Sequence, residues 1–113
     1  MKEYRGVIVE ESLEDNRILN EVKIDAVRIS RQEDPSDRWH LYTVRVSDEL
    51  IMKLAENIKD KWYMHFWKER EVIAIFKKET FKFNYDDRAT WEPAVKYGLS
   101  IGIPKEQLDF PID

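Results

Sequence analysis

The sequence predicts an α+β fold: a largely antiparallel sheet of about five to six strands with two helices. Three observations support this. Several short segments carry the β-branched and aromatic residues typical of strands. Two segments repeat apolar residues at helical spacing. Strands and helices do not alternate one by one, which argues against a parallel sheet. The expected order is βββαβββα over residues 1–113 as a single domain, with both helices on one face of the sheet.

Composition narrows the possible functions. Hydrophobic residues make up 42% and aromatic residues 12% of 113 residues, enough for one core. The chain has no cysteine, which excludes disulfides, thiolate zinc sites and cysteine nucleophiles. The N-terminus has no apolar signal core and no apolar run reaches the roughly 18 residues of a membrane span, so we expect a cytoplasmic protein. A net charge of −4 argues against nucleic-acid binding by the protein as a whole.

The first half of the chain predicts three strands. Residues 4–9 form the first, followed by a polar connection over residues 10–16. In the second, the apolar alternation changes phase between Ile24 and Val27, which indicates a β-bulge near Ala26.

A polar, Pro-containing loop at residues 31–37 predicts a hairpin into the third strand, residues 39–46. On this strand one face carries Trp39, Leu41 and Thr43. The other face is the better core candidate and carries His40, Tyr42, Val44 and Val46.

The first helix begins at Ser47, whose hydroxyl accepts a hydrogen bond from a free amide of the first turn. Asp48 and Glu49 follow, where the helix dipole favours negative charge. Its apolar stripe packs on the sheet and consists of Leu50, Ile51, Leu54, Ala55 and Ile58.

Three further antiparallel strands are predicted at residues 61–67, 71–77 and 80–85, separated by charged turns. The middle one is apolar on both faces, so we expect it to be central, whereas the last one alternates and is more exposed.

The last helix is capped by Asp86 or Asp87, or by Thr90, and the choice decides whether Pro93 kinks the helix or lies harmlessly in its first turn. Gly102 is its expected left-handed cap. The predicted inner face consists of Trp91, Ala94 or Val95, and Leu99.

Residues 97–110 read Tyr-Gly-Leu-Ser-Ile-Gly-Ile-Pro-Lys-Glu-Gln-Leu-Asp-Phe. This segment resembles the C-terminal signature of a family of short uncharacterised prokaryotic proteins, Tyr-Gly-Leu-Ser-x-Gly-Ile-Pro-x-x-Gln-x-Asp-Phe. The resemblance extends at lower density to residues 6–13 and to Trp62 and Tyr63. It implies no reaction, cofactor or partner.

An enzymatic alternative rests on four scattered residues. A small hydrolase or metal-assisted enzyme would use His65 or His40 with Asp86 or Asp87, and it requires that these groups converge in one cleft. No local spacing supports a metal site, and the chain has neither a nucleophile elbow nor a glycine-rich phosphate loop. Two surface histidines and a helix-capping aspartate are the simpler interpretation, so we expect no metal and no cofactor.

A second alternative is single-strand nucleic-acid binding on the basic, aromatic segment 59–82. Rings stack on bases while lysines neutralise phosphates, although rings are also needed for a core and turn lysines also protect strand edges. The basic residues are Lys59, Lys61, Lys68, Arg70, Lys77, Lys78 and Lys82.

The favoured interpretation is a small binding or assembly domain. Around residues 62–67 one strand face carries Trp62, Met64 and Phe66 and the other carries Tyr63, His65 and Trp67, so a second cover is needed. That cover is a partner subunit, a ligand or the other helix. Because exposed aromatic patches mark interfaces, we expect a homodimer. The predicted contact residues are Trp62, Tyr63, His65 and Trp67.

Overall fold

The computed structural model describes residues 3–110 and residue 112. The order of strands and α-helices is the predicted βββαβββα, which confirms the α+β fold class. Short 3₁₀ turns occupy several connections. The elements are β1 (Tyr4–Val9), β2 (Lys23–Ile29), β3 (His40–Val46), α1 (Asp48–Asn57), β4 (Met64–Lys68), β5 (Glu71–Phe76), β6 (Glu79–Asn84) and α2 (Glu92–Ser100).

All six strands form one antiparallel sheet in the order β2-β3-β1-β4-β5-β6. Its two three-stranded halves meet where β1 pairs with β4, through a ladder of only two residue pairs, Arg5–Trp67 and Gly6–Phe66. The ring of Phe66 is fully buried and lies over Gly6. This short ladder therefore holds the halves together.

Helix α1 covers one face of the sheet, called here the α1 face. Ser47 caps it as predicted, with Oγ accepting the Leu50 N–H at 3.2 Å. The 3₁₀ turn Asn16–Glu21 packs beside it and buries Ile18. The predicted stripe is confirmed, since Leu50, Ile51, Leu54, Ala55 and Ile58 are all buried.

Helix α2 covers the opposite face, called the α2 face, so the expectation of both helices on one face is wrong. The reason lies in β5, which sends Ile73 and Ile75 into the α1-face core and Val72 and Phe76 into a second core. A strand that is apolar on both sides needs a cover on each. Helix α2 and the C-terminal segment through Phe110 provide the second cover.

Two local predictions needed correction. The strand predicted at residues 61–67 begins at Met64, because Lys61 adopts a left-handed conformation (φ 67°) that interrupts extended backbone. Leu99 was expected on the inner face of α2 but is 45% exposed. Its neighbour Gly98 is buried against Leu108 instead.

Pro93 does not kink the last helix, because this segment begins with a 3₁₀ turn and the α-helix starts only after it. Asp87 caps the 3₁₀ turn Arg88–Trp91 by accepting the Ala89 N–H, and α2 begins only afterwards, with Pro93 in its first turn. A proline there removes no helical hydrogen bond. Gly102 (φ 95°) ends the helix as predicted.

The predicted bulge in β2 is confirmed. The register with β3 passes from Ile24–Val44 to Ala26–Thr43, which leaves Asp25 outside the ladder. Neither helix in the described part of the chain is long and apolar enough to cross a bilayer.

Glycine substitutions test the junction of the two halves. A Cβ added at Gly6 would lie 2.3 Å from the Phe66 ring and 2.9 Å from the His65 carbonyl oxygen. We expect Gly6→Ala to lower the free energy of unfolding by about 1–3 kcal/mol, the usual cost of overpacking. Urea denaturation measures this. Gly98→Ala is the control: its Cβ would meet only side-chain atoms of Leu108 and no backbone atom, so we expect a smaller loss. A Gly6→Ala protein as stable as the parent would contradict this account of the junction.

Candidate functional site

A groove opens where β1 and β4 separate. Beyond the Gly6–Phe66 pair, Val7 and Val9 of β1 and His65 of β4 line a cavity of about 470 Å³. Val7 and Val9 alternate with Ile8, which is fully buried in the α1-face core, so their side chains point to the α2 face. The groove therefore opens on the α2 face of the sheet.

Two tryptophans form one side of this groove. The rings of Trp39 and Trp62 meet edge to face with centroids 5.4 Å apart, and Trp39 stays 39% exposed. Trp62 also packs against the α1-face core, which limits its movement. Edge-to-face pairs are favoured by the ring quadrupoles. The pair gives the groove an aromatic side that is anchored on the core through Trp62.

Tyr63 fixes the opposite side. Its hydroxyl donates to the carbonyl oxygens of Gln107 and, at 3.2 Å, of Asp109. Its ring packs on Phe76 and Phe110, with both centroids 5.6 Å away. Burial raises the pKa of Tyr63, so the hydroxyl stays a donor at neutral pH. These contacts hold the C-terminal segment against β4, and Gln107 thereby reaches the groove.

The polar groups of the groove are basic or neutral. Lys61, His65 and Gln107 line it, and no acidic residue does so among the described residues. The remaining lining is apolar or aromatic. An apolar wall with a few polar groups is typical of small-ligand sites. The balance of charge favours a group that is neutral or negative.

The predicted contact residues divide between two places. Trp62, Tyr63 and His65 line the groove, whereas Trp67 lines a smaller cavity of about 250 Å³ beside Arg5. The Trp67 Nε1 atom is buried without a hydrogen-bond partner in residues 3–110 and 112. The chain itself provides part of the second cover that these rings need, since Phe110 packs on the ring of His65 with centroids 5.6 Å apart.

The four residues of the enzymatic alternative do not converge. His40 lies on the α1 face with Tyr42 and pairs with Glu11, whereas His65 lies on the α2 face against Phe110. Asp86 forms a forked ion pair with Arg70, and Asp87 caps a 3₁₀ turn. The described residues contain no group of three or more His, Asp or Glu side chains able to hold a metal ion.

The basic residues of the nucleic-acid alternative are also separated. Lys68 and Arg70 lie at the β4–β5 turn, whereas Lys77 and Lys78 lie at the other end of β5. Lys77 is engaged by Glu14 at 3.0 Å, and the aromatic rings between these ends pack in the two cores. A continuous stacking platform with basic edges is not formed by these residues.

Two features of the structure, one of them in the groove, were missed from the sequence. Trp39 was assigned to the face of its strand away from the core, and that position was the signal for an exposed ring. Glu11 was assigned to a polar connection, yet it accepts the His40 backbone N–H at 2.9 Å and lies 2.7 Å from its Nδ1. No local pattern links Glu11 to His40, since they are far apart in the chain.

No family model, curated protein or solved structure matches this chain. The resemblance of residues 97–110 to a family of short prokaryotic proteins therefore stays a prediction. The function must be argued from the geometry of the chain itself.

The His40–Glu11 pair predicts a pH dependence. The hydrogen bond to Glu11 raises the pKa of His40 above its ordinary value of about 6.5. Burial raises the pKa of Glu11, but hydrogen bonds from His40 outweigh it, and the net shift is downward. The His40 contribution to stability is therefore lost as pH rises through the raised pKa, and the Glu11 contribution is lost as pH falls below about 4.3.

An NMR titration of the His40 ring checks this directly. Glu11→Gln should move the His40 pKa down towards about 6.5, because the negative partner is removed. Glu14→Gln, which removes a carboxylate paired with Lys77, is the control and should leave it unchanged. An unshifted His40 pKa in Glu11→Gln would show that the pair does not form in solution.

Proposed function

We propose that this chain is a small binding domain that holds an apolar or aromatic group carrying a negative charge in the groove between β1 and β4. One observation carries the proposal: three of the four aromatic contact residues predicted from sequence line a single concave site that neither helix fills. The cavity of about 470 Å³ falls within the range of about 300–1,000 Å³ found for small-ligand sites.

The chemistry of the lining supports this class of ligand. Trp39 and Trp62 offer an aromatic edge and face, Val7 and Val9 an apolar floor, and Lys61 a positive charge. Burial of apolar surface provides affinity, while the few polar groups set orientation. A planar anion, or an aromatic side chain next to a carboxylate, combines these requirements.

The other functions considered have less support. Hydrolysis or metal-assisted chemistry by His40, His65, Asp86 and Asp87 requires groups that lie on different faces and already have partners. Single-strand nucleic-acid binding requires a continuous basic platform. A cytoplasmic location and self-association are also proposed, and the next subsection argues the surface for self-association.

Titration with the aromatic sulfonate dye ANS tests the proposal. Binding should enhance dye fluorescence and quench the tryptophan emission. Trp39→Ala should weaken binding about fivefold or more, since truncating a central aromatic contact costs more than about 1 kcal/mol. Leu99→Ala, which removes an exposed apolar side chain outside the groove, should not change it.

A matched pair of charge reversals tests the role of Lys61. Lys61→Glu should weaken dye binding about two- to tenfold, because an exposed charge pair contributes about 0.2–1 kcal/mol and the reversal replaces attraction with repulsion. Lys59→Glu makes the same change in net charge outside the groove lining and should have little effect. Equal effects of the two reversals, or unchanged binding to Trp39→Ala, would refute the groove as the binding site.

A further inference from the structure

Strand β2 is an edge of the sheet that presents an uncovered apolar row. All seven of its residues are exposed. Ile24, Val27 and Ile29 are 43%, 52% and 49% exposed. They share the α1 face because they pair with Val44, Tyr42 and His40 across the ladder. Large apolar side chains in a row on an unpaired edge mark a site where another strand adds.

The opposite edge of the sheet is built differently. On β6 the α1-face positions are polar, and the apolar residues Phe81 and Phe83 turn to the α2 face, where helix α2 covers them. Polar and charged residues on an edge discourage further pairing. Of the two edge strands, only β2 combines unpaired backbone groups with an exposed apolar face. Only this edge therefore favours the addition of another strand.

The bulge at Asp25 creates this apolar row. In a regular strand Ile24 and Val27 would point to opposite faces, since side chains alternate. With Asp25 outside the ladder, the paired positions run Lys23, Ile24, Ala26, Val27, Arg28, Ile29, and Ser30 follows directly, with its N–H bonded to the Trp39 carbonyl oxygen. The large apolar side chains Ile24, Val27 and Ile29 therefore fall at alternate positions. Val27 is the centre of this seven-position sequence.

This sequence of positions is complementary to itself. When two copies pair antiparallel about a two-fold axis at Val27, Val27 opposes its own counterpart and Ile24 opposes Ile29 of the second copy. Arg28 opposes Ala26 of the second copy and lies beside its Asp25, on the α2 face that both share. Arg28 has no ion pair within the described residues, whereas Asp25 already accepts two hydrogen bonds from Arg45 of its own chain, so Arg28 would add to an existing ion pair. Opposite charges on neighbouring strands stabilise pairing.

The neighbouring registers are less favourable. Moving the axis to Arg28 places Arg28 opposite Arg28, and moving it to Ala26 places Arg28 opposite Lys23. Like charges directly opposite each other are destabilising. A register displaced by a single residue is excluded, because residues that point to different faces of the sheet would then lie opposite each other. Charge and side-chain alternation therefore select the axis at Val27.

We propose that two copies of this chain associate through antiparallel pairing of their β2 strands about a two-fold axis at Val27, forming one continuous sheet. The contact satisfies the free backbone groups of both edges and places the two apolar rows side by side on one face, where each partly shields the other from water. It uses a different surface from the aromatic contact residues predicted from sequence. It also does not depend on the groove, so each proposal can fail without the other.

Disulfide trapping tests the register, and the absence of native cysteine makes it specific. Val27→Cys should form a covalent dimer on mild oxidation, because directly opposed strand residues have Cα atoms about 4.5–5.5 Å apart, within disulfide range. Ile29→Cys should not, since it faces Ile24, whereas the double variant Ile24→Cys/Ile29→Cys should. Trapping of Ile29→Cys as readily as Val27→Cys would overturn the register.

Light-scattering mass over a dilution series tests the association itself. The parent should pass from dimer to monomer on dilution. Val27→Lys should weaken the dimer more than about tenfold, since it places two positive charges together at the axis. Met52→Lys, a change at a similarly exposed apolar residue on α1, is the control and should dimerise like the parent. A monomeric parent at all concentrations, or a dimer that Val27→Lys leaves intact, would overturn the proposal.

Discussion

The contact between Phe66 and Gly6 is the constraint on which the rest of the molecule depends. Strands β1 and β4 share only two residue pairs, and the Phe66 ring occupies the space where any other residue at position 6 would place its Cβ. Phe66 lies in the same core as Ile51 and Leu54 of α1, so helix packing and strand joining reinforce each other. Where this contact ends, the strands diverge and the groove begins. The same feature therefore joins the sheet and positions the candidate site.

Much of the fold was predictable because its signals are local. The Ser47 cap, the α1 stripe and the two-sided apolar pattern of β5 each follow from neighbouring residues, and all are confirmed. The face chosen by α2 was not predictable in the same way. That face is set by tertiary partners such as Phe83 and Phe110, which lie on β6 and in the C-terminal segment, outside the sequence of the helix itself. Strand order is likewise a property of long-range pairing, since β1 lies between β3 and β4.

The candidate site was likewise predictable only where its signals are local. Alternation in residues 62–67 identified rings on two faces of one strand, and three of the predicted contact residues meet at the groove. The sequence could not indicate that Trp39 packs edge to face on Trp62, because the two belong to different halves of the sheet. It also gave no sign that Tyr63 holds the C-terminal segment, since that contact depends on the path of the chain after α2.

The offset of the two helical covers explains why two surfaces remain open. Helix α1 and the turns before β2 cover the α1 face only as far as β3, which leaves Ile24, Val27 and Ile29 exposed. Helix α2 covers the other face over β4 to β6, which leaves Val7 and Val9 beside the groove. A two-fold axis perpendicular to the sheet keeps equivalent faces of both copies on one side. In the proposed dimer both grooves would therefore open on the side away from the paired apolar rows, and neither would be blocked by the association.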